Sequence, residues 1–352
     1  MSGGVDSSVA AARLVRAGHD VVGVTLHLWD YPDDGSVRGR CCAPEDQYDA
    51  RRTADALGIP HFSFDRRDLF RRDVVDPFVG AYLDGTTPSP CVACNKTVKL
   101  PEILAVADRL GAGLIATGHY ARIGRNEAGR TVLKRAVDAS KDQSYFLHAL
   151  PQSTLDRLLF PLGDATKAEI RAEALALGLP GAEKGESQEL CFVPSGTYDA
   201  FVEARAGDRV RPGPILGHDG REVGRHPGVH RFTVGQRRGL GVAVGTAAYV
   251  TALDAATGTV KLGSREELLV GSADVEETVF AEGSPSLLDA SVKVRAHHIG
   301  SEALVTRTGE RSASIRFRIP VAAVVVGQFA VFYQGDDVVG GGRITRVQGA
   351  ST

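Results

Sequence analysis

The sequence predicts an α/β domain, a mostly parallel sheet with helices on both faces, followed by two small β domains, the last barrel-like. Three observations predict it. Strand and helix signals alternate through the first ~200 residues, the signature of parallel strands joined by helical crossovers. From about Asp208, Gly-rich turns such as GHDG and HPG separate short β-branched or aromatic stretches, as in small antiparallel barrels. After a break near Glu282–Pro285, Val292 to Val347 again reads as strands. The expected domains are therefore 1–205, 206–278 and 279–352, and a chain of 352 residues has room for two or three domains of roughly 100–200 residues.

Helical spacing runs from Asp6 to Ala17 with Gly18 as its stop, and the apolar stretch Val21–Leu28 follows as a strand. A helix over Pro44–Leu57 ends at Gly58 and leads to a strand near Ile59–Phe64. A helix near Val98–Leu110 stops at Gly111, before the strand-like GLIATGHY. Further helices are expected at Pro151–Phe160 and at Lys167–Leu177, the latter closed by Gly178 and Pro180. No internal repeat or low-complexity segment interrupts this plan. A glycine-rich loop normally follows a buried strand, yet here it begins at Ser2 with nothing strand-like before it, so an open edge is expected in the middle of the sheet.

With 43% hydrophobic and 24% charged residues the composition is that of an ordinary globular protein. No run reaches the ~18 apolar residues of a membrane span, and no charged-then-apolar leader is present, so a cytoplasmic protein without a membrane partner is expected. Five unevenly spaced cysteines do not make a disulfide framework. The net charge of −2 conceals segregation. Residues 203–243 carry 8 basic and 4 acidic side chains and 286–352 carry 8 and 5, flanking 244–285 with 2 and 7. Two basic segments permit a local phosphate-binding face on a nearly neutral molecule.

SGGVDSS, Ser2 to Ser8, opens the first helix. Its glycines let the backbone approach a phosphate, the helix N-terminus aims N–H groups at it, and the serine hydroxyls add donors. The Walker pattern GxxxxGK[ST], whose lysine neutralises the outer phosphates, is absent, which argues against a γ-phosphate-cleaving enzyme. TPSPCVACNK, Thr87 to Lys96, sets Cys91 and Cys94 in a Pro-rich turn before a helix, where the dipole and Lys96 or Lys99 favour a thiolate. Cys191 lies about a hundred residues on, in ELCFVPSG. A zinc site on Cys41, Cys42, Cys91 and Cys94 is disfavoured because adjacent cysteines chelate poorly. The zinc-deaminase half-motif lacks its His-x-Glu partner. An iron–sulfur cluster on Cys91, Cys94 and Cys191 with an open iron position stays open as an alternative. Cys41 and Cys42 read as structural.

SGGVDSS, the CNK cysteine, ATGHYAR, KDQSYFL, the LCFV cysteine and GQRRGLG, with GQFAVFY and GGGRI near the end, together resemble the tRNA-specific 2-thiouridylase family of the PP-loop ATP pyrophosphatases. The resemblance spans essentially the whole chain. It implies ATP- and Mg²⁺-dependent thiolation of C2 of the wobble uridine in the tRNAs for Glu, Gln and Lys: adenylation of the C2 oxygen with pyrophosphate release, then sulfur transfer with loss of AMP. By the same resemblance Cys191 carries a persulfide delivered by a sulfur-relay protein fed by a cysteine desulfurase. Cys94 is the nucleophile, and a Cys94–Cys191 disulfide closes afterwards. Carried over position by position, Ser2, Gly3, Gly4, Val5, Asp6, Ser7, Ser8, Leu26 and Gly118 hold ATP, with Asp6 organising Mg²⁺. Ser89, Pro90 and Cys91 meet the target base, and His119, Lys141, Asp142, Gln143, Arg295, Ala296 and Gln328 meet the tRNA. Two departures stand out: Cys91 replaces a frequent aspartate, and Ala296 a frequent tyrosine. Arg231, Arg237 and Arg238, with Arg295, Arg316 and Arg318, are expected to follow a phosphate backbone in a salt-dependent manner. The residues also admit two other readings: a PP-loop enzyme that activates a small carbonyl for nitrogen transfer, and a non-catalytic tRNA-binding protein.

Overall fold

The computed structural model describes residues 1–30, 44–126, 129–182, 190–193, 197–243, 245 and 247–350. Cys41 and Cys42 lie outside the described residues. Two compact units emerge: Met1–Val75 with Cys91–Ser195 and Asp336–Val338, and Asp76–Pro90 with Gly196–Gly335 and Val339–Thr352. Residues Asp76–Pro90 thus sort with the later part of the chain.

In the first unit, helix Val5–Arg16 packs on helix Lys167–Ala176. Val5, Val9, Ala10 and Ala12 from one helix and Ile170 and Ala174 from the other share a core with Leu162 and Leu179. Arg13 reinforces the pair, donating to Glu173 at 2.6 Å and to the Pro161 carbonyl at 2.8 Å. The second helix starts in a capping box between Thr166 and Glu169, which satisfies two otherwise unpaired N–H groups.

Parallel strands are present as expected, but in two separate pieces. Gly23–His27 pairs with His61–Asp65, and Ile115–Ala116 with Leu158–Leu159. Met1 lies beside the first piece, its ammonium donating to the Val24 carbonyl and its own carbonyl accepting from Thr25 Oγ1 at 2.6 Å.

Some local expectations fail. The helix expected over Pro151–Phe160 is one turn, Gln152–Leu155, because Leu158–Leu159 leaves it to pair as a strand. The helix expected from Val98 starts at Leu100, preceded by a π turn over Cys94–Lys99, and closes on Gly111 at φ +70°. An antiparallel hairpin, Arg122–Arg125 with Thr131–Lys134, was not anticipated.

The second unit contains a four-stranded sheet in the order Glu222–His226, Gly213–Leu216, Thr259–Gly263, Tyr249–Asp254, over a small core of Ile215, Val250, Val260 and Leu262. Helix Tyr198–Ala206 packs on helix Asp76–Leu83. The last strands close a six-stranded barrel: Leu269–Phe280, Ser312–Ala322, Ser301–Gly309, Leu287–Lys293, Phe329–Gln334 and Asp337–Gly349, which returns to the first. Closure removes the exposed edges an open sheet would carry. Inward residues such as Val305, Ile315, Phe332 and Ile344 form one continuous core. No helix among the described residues is long and apolar enough to cross a membrane.

Candidate active site

The loop Ser2–Gly4 turns at Gly3, φ +73°, where a Cβ would stand 2.0 Å from the Asp46 carbonyl oxygen, so only glycine fits. At Gly4 the neighbouring space is open: a Cβ would meet nothing nearer than Ser2 Oγ at 3.7 Å. The serines brace the turn. Ser7 Oγ accepts from Ser2 N at 3.0 Å and donates to the Gly4 carbonyl at 3.1 Å, and Ser8 Oγ donates to the same carbonyl at 3.0 Å. Val5 anchors the loop in the core, and Leu26 is buried in the first strand. Gly118 lies against the loop, where a Cβ would be 2.9 Å from Ser7 N. The structure therefore brings Gly118 against the loop.

Asp6 carries two partners that sequence reasoning missed. Its Oδ1 accepts from Tyr120 Oη at 2.8 Å and from Lys167 Nζ at 2.6 Å. Lys167 is only 13% exposed, whereas Asp6 is 36% exposed. A cation thus reaches the loop's carboxylate from the first residue of a distant helix. Tyr120 lies within the ATGHYAR motif, but Lys167 has no local signal. Backbone N–H groups at a helix N-terminus, serine hydroxyls, a carboxylate and an ammonium form a donor set suited to a polyphosphate with a divalent cation.

The cysteines occupy a second corner of the same unit. Pro90–Ala93 makes one helical turn and Cys94 begins the π turn Cys94–Lys99, a local irregularity frequent at functional sites. Cys91 is exposed, Cys94 buried and Cys191 half-buried. Asn95 ties the turn to the KDQSYFL segment, Nδ2 donating to the Phe146 carbonyl at 3.2 Å. Beside Cys191, buried Phe192 packs edge-on against Trp29 and Phe70, ring centroids 6.2 and 5.8 Å away. The Arg67–Val75 helical segment bearing Phe70 packs on the turn that starts with Cys94. Both thiols therefore hang from elements meeting at one aromatic corner. Among the described residues no three His, Cys, Asp or Glu side chains gather as a metal-holding group, so the cluster on Cys91, Cys94 and Cys191 finds no support there.

The residues expected against tRNA divide. Asp142 turns inward: its carboxylate, 3% exposed, accepts from Ala136 N, Ser144 N and Ser144 Oγ at 3.0–3.2 Å. Gln143 grips Tyr120, Oε1 accepting its N–H at 2.9 Å and the Gln143 N–H donating to its carbonyl at 2.8 Å. Lys141 is half-buried. His119 Nδ1 meets Thr117 Oγ1 at 2.8 Å. Burial, assisted by nearby Lys99, lowers the His119 pKa to about 3, so the ring is neutral at physiological pH. Arg295 is exposed and Ala296 half-exposed, while Gln328 Nε2 donates to the carbonyls of Thr87 and Pro88. Ser89 is half-exposed and Pro90 buried. Among the basic residues, Arg237, Arg238 and Arg316 are exposed, but Arg231 pairs with Glu203 at 2.6 Å and Arg318 with Asp289.

Comparisons with known proteins agree across the chain. Family models described as a tRNA methyl transferase HUP domain, a tRNA methyl transferase PRC-barrel domain and an aminomethyltransferase beta-barrel domain match residues 1–195, 199–264 and 273–344. The tRNA-specific 2-thiouridylase MnmA of Sorangium cellulosum is 62% identical over 349 residues, covering 98% of this chain and 90% of that protein. Proteins of the same name from Roseiflexus castenholzii and Solibacter usitatus are each 47% identical, covering 98% of this chain and 98% and 97% of their own lengths. The chain belongs to the tRNA-specific 2-thiouridylase family.

Proposed function

We propose that this enzyme replaces the C2 oxygen of the wobble uridine of tRNA with sulfur, using ATP and Mg²⁺, with the tRNAs for Glu, Gln and Lys as acceptors. The observation that carries the reading is the pairing of two constellations in one unit. One is a glycine loop whose Asp6 is held by Tyr120 and Lys167, and the other is the corner that joins the elements of Cys94 and Cys191.

The chemistry follows from these groups. An amide-like oxygen is a poor leaving group, and transfer of AMP to it, with loss of pyrophosphate, makes it a good one. Ser2, Gly3, Gly4, Val5, Asp6, Ser7 and Ser8 hold the phosphates, with Leu26 and Gly118 beside the adenosine. Asp6 would hold Mg²⁺, which supplies charge neutralisation at the departing pyrophosphate. Tyr120 and Lys167 fix the carboxylate in place, and Lys167 balances negative charge that the loop itself cannot. Ser89, Pro90 and Cys91 meet the base, and His119, Lys141, Gln143 and Arg295 lie along the RNA. Arg237 and Arg238 follow its backbone.

Sulfur arrives as a persulfide on Cys191, from a relay protein or a cysteine desulfurase. The terminal sulfur attacks C2 and AMP departs. The Cys94 thiolate then attacks the Cys191 sulfur, the S–S bond to the base breaks, the thiocarbonyl is released, and a Cys94–Cys191 disulfide remains for an external dithiol to reduce. Such thiol chemistry suits the reducing cytoplasm.

The test is mass analysis of tRNA nucleosides after incubation with ATP, Mg²⁺ and a persulfide donor. 2-Thiouridine in the wobble position is expected. Tight tRNA retention without pyrophosphate release, or ATP-dependent nitrogen transfer to a small substrate without RNA, would replace this reading.

A further inference from the structure

Thiolation as proposed leaves Cys94 and Cys191 joined, so each new cycle waits on reduction of that disulfide. The surroundings of the two residues make the step slow for an outside reductant. Cys94 is only 8% exposed, and Cys191 is half-buried beside buried Phe192. Thiol–disulfide exchange requires one sulfur to reach another, so access limits its rate. A third cysteine of the same unit, Cys91, is exposed.

The local backbone links Cys91 to Cys94. The chain is helical without a break from Pro90 to Leu110: a turn at Pro90–Ala93, the π turn Cys94–Lys99 and the helix Leu100–Leu110. Ala93, between the two cysteines, has φ −57° and ψ −49°. Residues three apart on such a backbone are neighbours on the helix surface, with β carbons about 5–6 Å apart, whereas a disulfide needs about 3.5–4.5 Å. The first turn of a helix can absorb that difference, because its N–H groups have no acceptors within the helix and Pro90 has no N–H at all. From Cys94 onward the backbone is held. Asn95 Nδ2 donates to the Phe146 carbonyl at 3.2 Å, and Val98 and Leu100 are fully buried. Movement toward a Cys91–Cys94 bond therefore belongs to Cys91. An exposed first cysteine and a buried second one, in C-x-x-C spacing at a helix start, suit dithiol–disulfide exchange.

We propose that Cys91 is the resolving thiol of the cycle. Its thiolate attacks the Cys94 sulfur, a Cys91–Cys94 bond forms, the Cys94–Cys191 bond breaks, and the electron pair leaves on Cys191 as a thiolate. No electrons enter or leave the protein in this exchange. An external dithiol then reduces the Cys91–Cys94 disulfide, giving up two electrons and two protons and becoming a disulfide itself. Cys191 is thus ready for the next persulfide sulfur before reduction is complete. The base-facing place of Cys91 is vacated when the product tRNA leaves, so its two tasks follow one another. This role deepens the thiolation reading above and rests on it for the Cys94–Cys191 disulfide.

The first arm of the test needs no RNA. Full-length wild type, Cys91→Ser and Cys91→Ala are oxidised with diamide to one disulfide per chain, and the disulfides are mapped by peptide mass after alkylation. Wild type is expected to hold both Cys91–Cys94 and Cys94–Cys191, and the variants Cys94–Cys191. Reduction by dithiothreitol should be about 10-fold or more slower in the variants, because the exposed route is gone. In the second arm, protein carrying a persulfide on Cys191 makes one turnover with ATP, Mg²⁺ and tRNA and is alkylated at intervals. The Cys94–Cys191 disulfide formed first should convert to Cys91–Cys94 in wild type and persist in the variants. Equal reduction rates with and without Cys91, or a Cys94–Cys191 disulfide that persists in wild type, would overturn the proposal. A bond from Cys94 or Cys191 to Cys41 or Cys42 in wild type would overturn it too, by giving the task to another thiol. If wild-type protein does not thiolate at all, the functional reading fails, and the RNA-free reduction rates still decide whether Cys91 relays the disulfide. Should one variant not accumulate as folded protein, the other is read alone.

Discussion

The barrel and the parallel-stranded region satisfy the same need, pairing of buried strands, by opposite means. In the barrel six strands close on themselves, every ladder has a neighbour, and the interior is a continuous apolar core. In the parallel region the strands come as two separate pairs, and polar side chains make the long-range ties: Arg13 to Glu173, Arg66 to Glu102, Tyr120 and Lys167 to Asp6. The difference separates stability from chemistry. A regular ladder uses its donors internally, whereas a loop at a helix start, braced by side chains, keeps N–H groups and charges directed at a ligand. Changes in the barrel interior should therefore cost stability, and changes at the glycine loop and the cysteines should cost reaction steps.

The largest effect is expected from the sulfur pair. Cys94→Ser and Cys191→Ser should each lower thiolation by about 10³-fold or more, the usual scale for loss of a covalent nucleophile, with unchanged melting and tRNA affinity. Thiolated nucleosides at the wild-type rate from either variant would remove that residue from the mechanism. On the barrel side, Phe332→Ala opens a cavity in a fully buried site and should lower stability by about 3–5 kcal/mol, read by denaturant unfolding, while rates per folded molecule hold. A comparable loss of rate in folded Phe332→Ala protein would show that the two regions are not separable in this way.

Lys167→Met should weaken nucleotide binding by about 10-fold, seen with a fluorescent ATP analogue without RNA or sulfur, since it removes the cation beside the loop. Tyr120→Phe deletes one hydrogen bond and should cost only a fewfold change. Equal affinity for wild-type and Lys167→Met protein would place the lysine outside the nucleotide site.

A smaller, pH-dependent effect follows from His119 and His148. Burial lowers their pKa values to about 3 and about 4 in the folded protein, from an ordinary value near 6.5. The unfolded chain then binds more protons between those limits, so these two residues make stability rise with pH through that window and fall as pH drops below about 6.5. Urea unfolding at pH 5 and pH 7 should show a smaller difference for His119→Asn than for wild type. An identical difference would mean the ring is protonated in the fold.

What sequence revealed follows the same division. The barrel was legible because inward and outward residues alternate along its strands, as in Leu287–Lys293. SGGVDSS and CVACNK were legible because their chemistry is local. Lys167 was not, for it meets Asp6 across 161 positions, a pairing that no local spacing encodes. Asp142 was expected against RNA from the family resemblance alone. The N–H groups of Ala136 and Ser144 that its carboxylate accepts from had no local signal in the sequence. The helix expected at Pro151–Phe160 failed because partner strand Ile115–Ala116 decided the fate of Leu158–Leu159, a tertiary override of local pattern.

The most direct test of the two-constellation mechanism is one turnover of wild-type enzyme carrying a persulfide on Cys191, mixed with ATP, Mg²⁺ and unmodified tRNA and no other sulfur source. The prediction is one 2-thiouridine for each persulfide consumed, with equal AMP and pyrophosphate and a new Cys94–Cys191 disulfide. AMP and pyrophosphate released while the persulfide stays on Cys191 and the RNA gains no sulfur would contradict it.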